Sequence, residues 1–145
     1  MVGFNIVKAL RDVPSRVLPV TSATYVAGDL IELTAGSANW AAVTSTSDYF
    51  TRKAIVHSGG TTVTTVLAQE LDGTELVRAE SANNSNTAHN GDRMAFTDSN
   101  TVNNSGTDVT GQAVGFLQAG TIDTAASKQL LGYVLVGPSV DPDAA

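Results

Sequence analysis

Thr24-Tyr25-Val26-Ala27-Gly28-Asp29-Leu30-Ile31-Glu32-Leu33-Thr34 places a Gly-Asp turn directly before a short apolar/polar strand. The pattern returns 63 residues later as Asn90-Gly91-Asp92-Arg93-Met94-Ala95-Phe96-Thr97. Glycine tolerates the positive φ of a tight turn, and aspartate can accept hydrogen bonds from nearby backbone amides. Gly28 with Asp29, and Gly91 with Asp92, therefore read as structural corners without catalytic duty. β-branched runs lie between them, and turn signals recur at roughly the 8–12-residue spacing of all-β barrels and sandwiches. The expected fold is all-β: a compact β-barrel or jelly-roll-like sandwich of short antiparallel strands, preceded by an extended N-terminal arm. The expected divisions are an arm over 1–20, a β-barrel domain over 21–137 and a short acidic tail over 138–145.

Upstream of the opening stretch, Phe4-Asn5-Ile6-Val7-Lys8-Ala9-Leu10-Arg11-Asp12-Val13-Pro14 is apolar but too short to be a stable helix alone. Pro14 and Pro19 impose an extended path through Ser15–Leu18. Large apolar side chains are costly in water, so this segment either packs on its own domain or clamps a neighbour, and the second is the expectation. Lys8, Arg11 and Arg16 against Asp12 give residues 1–20 a net +2, leaving −8 on residues 21–145 of a chain that carries −6. A basic leader on an acidic body suits contact with an acidic surface. Phe4, Ile6, Val7, Lys8, Leu10, Arg11 and Arg16 are the expected neighbour-contacting residues.

Downstream, Asn39–Thr44 begins a second strand, with Trp40 filling a barrel end, and Tyr49–His57 a third. Thr61–Ala68 is Thr/Val-rich, which fits a pleated surface. Asp72-Gly73 is the strongest short hairpin signal, expected to join Val66–Glu70 to Glu75–Ala79. Residues 81–90 and 98–110 read as long polar surface loops, the places for sequence-specific contacts. Gln112–Gly120 reads as a strand, and Lys128–Gly137 as a long apolar strand that is central or at a subunit interface. Leu130, Leu131, Tyr133 and Leu135 are its expected core or self-association contacts.

At 145 residues the chain has the length of one domain. Only 15% of residues are charged, against roughly 25% in soluble domains, the difference being made up by Thr, Ser, Asn and Gly. With no cysteine, disulfide scaffolds and Cys-based zinc sites are excluded. The N-terminus lacks a secretory-signal pattern and no apolar run approaches ~20 residues, so no membrane partner is expected. An acidic chain of −6 argues against nucleic acid.

Chemistry-bearing patterns are sparse. His57 and His89 are the only histidines; His57 precedes Ser58, but no Gly-x-Ser-x-Gly elbow exposes a serine, so no catalytic residues are expected. Glu70, Asp72 and Glu75 flank one turn, yet no calcium-loop spacing accompanies them, so neither metal nor cofactor is expected. Asn83-Asn84-Ser85 and Asn103-Asn104-Ser105 match the glycosylation acceptor pattern, which without a secretory signal carries no weight. The aromatics fall mostly at strand positions. The chain reads as non-enzymatic.

The order of these features resembles that of the small head decoration (cement) proteins of tailed bacteriophages. A proline-bearing leader precedes Tyr25–Leu33, then a Thr/Val-rich middle and the Asn90-Gly91-Asp92 strand. Val114-Gly115-Phe116-Leu117-Gln118-Ala119-Gly120 and Leu131-Gly132-Tyr133-Val134-Leu135-Val136-Gly137 close it. The likeness covers roughly residues 17–137; the polar stretch 98–110 is not required by it. It implies a β-barrel or jelly-roll-like structural protein, often a homotrimer, made in the host cytoplasm. Such a protein binds the major capsid protein on the virion exterior and bridges neighbouring capsid subunits. Two alternatives remain. One is a phage tail, spike or fibre component reading a receptor or glycan through 81–90 and 98–110. The other is a small carbohydrate-acting or carbohydrate-binding β-domain, which would need a groove of clustered exposed aromatics that the sequence does not show.

Overall fold

The computed structural model describes residues 3–34, 36–107, 114–122 and 128–137. In chain order its strands are β1 (Asn5–Lys8), β2 (Arg16–Tyr25), β3 (Leu30–Leu33), β4 (Ala41–Ala42), β5 (Arg52–Ser58) and β6 (Gly60–Glu70). They continue as β7 (Leu76–Ser81), β8 (Arg93–Asp98), β9 (Thr101–Thr107), β10 (Phe116–Thr121) and β11 (Gln129–Val134). The fold is all-β, as expected, but β2–β6 and β7–β11 form two sheets, ordered β2-β6-β5-β3-β4 and β7-β11-β10-β8-β9. Numbered within each half, both orders are 1-5-4-2-3 with antiparallel neighbours. In each half the third strand also returns parallel to the first. Glu80↔Thr101 and Ser81↔Val102 close the second ring, and the Val20↔Trp40 bridge nearly closes the first. The chain is thus a tandem pair of five-stranded barrels, with β1 added beside β7.

The two Gly-Asp corners are equivalent down to individual hydrogen bonds. Asp29 N–H donates to the Val26 carbonyl (3.1 Å) and Asp92 N–H to that of His89 (2.9 Å), with φ at the intervening Gly28 and Gly91 of 96° and 90°. Positive φ at the third turn position is what a type II turn demands of glycine. Gly28 N–H then donates to the Val56 carbonyl and Val56 N–H to that of Asp29 (2.9 and 2.8 Å). Gly91, Gln118 and Asp92 repeat that exchange at 2.8 and 3.1 Å. The repeat heard in one short motif therefore extends over the whole strand order.

Period-2 alternation on β3 and β5 joins the barrels. Ile31, Ala54 and Val56 point into the first barrel, around Val20, Tyr25 and Trp40. Leu30 and Ile55, on the opposite face, enter the second core with Met94, Phe96, Phe116 and Val134. Phe4 belongs to that second core and is fully buried. Its ring meets Phe96 edge-on at 5.8 Å and Phe116 at 6.3 Å, and its N–H donates to the Gly28 carbonyl at 2.8 Å.

These facts correct several expectations. Among the described residues, 3–20 are not a free arm: β1 pairs with β7, Arg16–Val20 belong to β2, and Phe4 and Ile6 pack on the core. The physical reason is the one weighed against the arm at the outset, since burying a phenylalanine gains roughly 1.5–3 kcal/mol that an exposed arm forgoes. The described strands β2 to β11 form two barrels instead of the one expected over 21–137. Asp72-Gly73 makes no hairpin, because β6 and β7 pair in different sheets; the turn is the link between barrels. There the Glu75 carboxylate accepts from the Asp72 and Gly73 N–H groups at 3.1–3.2 Å. Thr101–Thr107, expected within a polar loop, is β9, whose polar side chains alternate with buried Val102 and Asn104. The acidic tail 138–145 lies outside the described residues.

Candidate functional site

Of the residues expected to contact a neighbour, the structure separates two sets. Phe4 and Ile6 face inward, whereas Val7 and Leu10 are 53% and 75% exposed. Lys8, Arg11 and Arg16 are also on the surface. Arg11 pairs with Asp72 at 2.6 Å, and Arg16 with Glu70 at 2.7 Å. The same Glu70 takes two hydrogen bonds from Arg52 (2.7 and 2.8 Å), and the Arg52 guanidinium lies 5.6 Å from the centre of the Trp40 ring. The Arg52 hydrogen bonds, aided by its charge, hold the Glu70 carboxyl below its ordinary range. Segment 9–15, strung between β1 and β2, is fastened by these ion pairs over a cleft of about 510 Å³ whose walls include Arg11, Val13, Glu70 and Val136. Just beyond it, Val17 is 67% exposed opposite its cross-strand partner Leu67, at 39%.

On β11 the alternation is clean. Leu130 and Val134 are buried, while Leu131 and Tyr133 sit half-buried on the outer face and Leu135 follows half-buried after the strand. Cross-strand register places Arg93, Leu117 and Tyr133 in one outer row, and Met94, Phe116 and Val134 in the buried row beneath. Leu131 stands on that same face opposite Arg78.

The polar loops are knitted inward. Asn104 is buried, accepts from Asn83 N–H at 2.8 Å and donates to the Asn83 carbonyl at 3.0 Å. Gln118, fully buried, donates to the Asn86 carbonyl and the Asn90 amide oxygen, each at 2.9 Å. Asn104 and Ser81 thus bond the backbone of the 81–90 loop, Ser81 donating to the Asn83 carbonyl at 2.7 Å. At the corners, Asp29 is buried, which raises its pKa, although its carboxylate accepts from Val26 N–H at 3.0 Å. Asp92 instead meets the His89 ring at 3.1 Å.

Sequence reasoning missed two features. Lys53 is fully buried with its ammonium on the carbonyls of Asp48 and Leu135, the latter at 2.9 Å, and burial lowers its pKa to about 8. Its register partner Glu32 accepts from the hydroxyls of Ser47 and Thr51. The second is Tyr49–Phe50, whose rings lie 4.2 Å apart and are 44% and 54% exposed. Two adjacent aromatics cannot both face one side of a strand, a signal that was available. Among the described residues, no cluster of three or more His, Cys, Asp or Glu is placed to hold a metal, and no helix is long and apolar enough to cross a membrane. Comparison with protein-family models, curated proteins and solved structures gives no match.

Proposed function

We propose that this chain is a non-enzymatic structural protein that binds the outer surface of a phage capsid and cements neighbouring capsid subunits, acting as a homotrimer. The observation that carries the reading is the pair Leu10 and Val17. Leu10 is largely exposed on the segment between β1 and β2, and Val17 at the start of β2, beside the Arg11–Asp72 and Arg16–Glu70 ion pairs. Scattered exposed apolar residues are ordinary; apolar residues held outward beside a fixed set of charges suit a surface contact. Modest contacts of this kind add up when several copies engage a shell at once. The outer row of Leu117 and Tyr133, with Leu131 beside it, supplies the self-association face. The resemblance to head decoration proteins supplies the class of partner, the major capsid protein.

Mixing purified protein with undecorated capsids tests the reading. Stoichiometric binding is expected, weakened at least about tenfold by Leu10→Ser with Val17→Ser, a loss near 1.4 kcal/mol, at an unchanged unfolding midpoint. Failure of the wild-type protein to bind the shell overturns it. Sedimentation tests the assembly separately: a trimer is expected, and a monomer at micromolar concentration overturns that part.

A further inference from the structure

We propose that the edge of β2 at Val17 is a strand-addition site, where an extended segment of the shell subunit runs antiparallel to β2. The inference rests on the shell reading above and names how that contact is made. The two barrels correspond in hydrogen bonds as well as in strand order. Thr21 N–H donates to the Trp40 carbonyl at 2.8 Å, and Ala82 N–H to the Val102 carbonyl at 2.9 Å. The ladders match in register. Arg16, Val17 and Leu18 face Ala68, Leu67 and Val66, as Val77, Arg78 and Ala79 face Gly132, Leu131 and Leu130. Burial follows the same match, with Leu18 and Val20 buried like Ala79 and Ser81. Val17 is therefore the counterpart of Arg78.

Trp40 N–H donates to the Pro19 carbonyl at 2.9 Å. Pro19, and Val17 two residues before it, therefore turn their backbone polar groups away from β6. In the second barrel that side of Arg78 is filled by β1, with Asn5 as its register partner. In the first barrel Trp40 bonds only Pro19 and Thr21. Among the described residues nothing bonds the Val17 N–H or C=O, and its side chain is largely exposed. An unpaired edge is a template for another strand, which supplies main-chain hydrogen bonds to both groups. The second barrel shows what covers such an edge: a four-residue extended strand, antiparallel, arriving from outside the ring. β1 itself is held on β7 by the burial of Phe4 beside it, so the strand at β2 comes from a partner. Val17 is one of the two residues assigned above to the shell, which makes the shell subunit the donor. The added strand would lay one outward side chain beside the exposed row of Val17 and Leu67, where an apolar or β-branched residue fits.

The test is hydrogen exchange at the Val17 amide, read by mass spectrometry with site-resolving fragmentation, in the free full-length protein and on undecorated capsids. Exchange is expected to be fast in the free protein and at least about tenfold slower on the shell. Val17→Pro removes the edge N–H alone. Proline is tolerated where the N–H faces away from the ladder, and Pro19 already holds the next such position in β2. This variant should keep the unfolding midpoint and bind the shell at least about tenfold more weakly. Val17→Thr keeps the N–H and the branched shape, and should bind within about threefold of the wild type. Unchanged exchange at Val17 in shell-bound wild-type protein overturns the inference, whether or not the variants fold. Equal losses from Val17→Thr and Val17→Pro overturn it as well, leaving Val17 a side-chain contact and the shell reading intact. Failure of the wild type to bind capsids overturns the shell reading and this inference together.

Discussion

Gly28 and Gly91 occupy the same turn conformation in different surroundings, which makes them a matched pair for measuring what each corner contributes. Nothing lies within 4 Å of a Cβ added at Gly91, so Gly91→Ala isolates the backbone term and should lower stability by roughly 1–2 kcal/mol. Gly28→Val adds a β-branched side chain at φ 96°, between the hydrogen bond to Val56 within the first barrel and the one from Phe4 of the second core; a larger loss is expected, with urea unfolding as the measure. Phe4→Ala should destabilise by about 3–5 kcal/mol, the range for emptying a buried aromatic site. Lys53 predicts a pH dependence with a definite sign. Its folded pKa is about 8 against an ordinary 10.5, so between those values the unfolded chain keeps a proton that the folded chain has released. Stability therefore rises with pH, by about 2 kcal/mol from pH 8 to pH 10. Tyr25, raised by burial and by Asp29, works in the opposite sense above pH 10. Urea midpoints across that range should show the rise in the wild type and not in Lys53→Met.

At the scale of elements, the N-terminal strand determines which experiments are interpretable. Deleting residues 1–14 would remove Phe4 and β1 from the second barrel, so the deletion should lower the unfolding midpoint as well as any attachment. Lys8→Glu alters an exposed charge at the end of β1 and should leave the fold intact while weakening the proposed attachment; binding and thermal melts on one preparation separate the two effects. The Asp72-Gly73 turn teaches the related lesson about linkers. Its local chemistry suits a reversal, and Glu75 caps its amides. Pairing partners, however, are chosen by the flanking strands, and β6 finds β2 and β5 while β7 finds β1, β9 and β11. A hairpin signal specifies a change of direction and cannot specify which strands lie side by side.

For the whole molecule, the repeated strand order explains how a chain with few charges builds two closed or nearly closed rings with little exposed edge. The all-β class and the two Gly-Asp corners were determined by local rules: β-branched composition and glycine at positive φ. Those rules act over a few residues, so they survive in any tertiary setting. The duplicated barrel, the burial of Phe4 and the internal use of Asn104 and Gln118 were decided only by the tertiary structure. Each depends on contacts between distant segments, where the free energy of burial selects one partner among several that the local sequence permits equally.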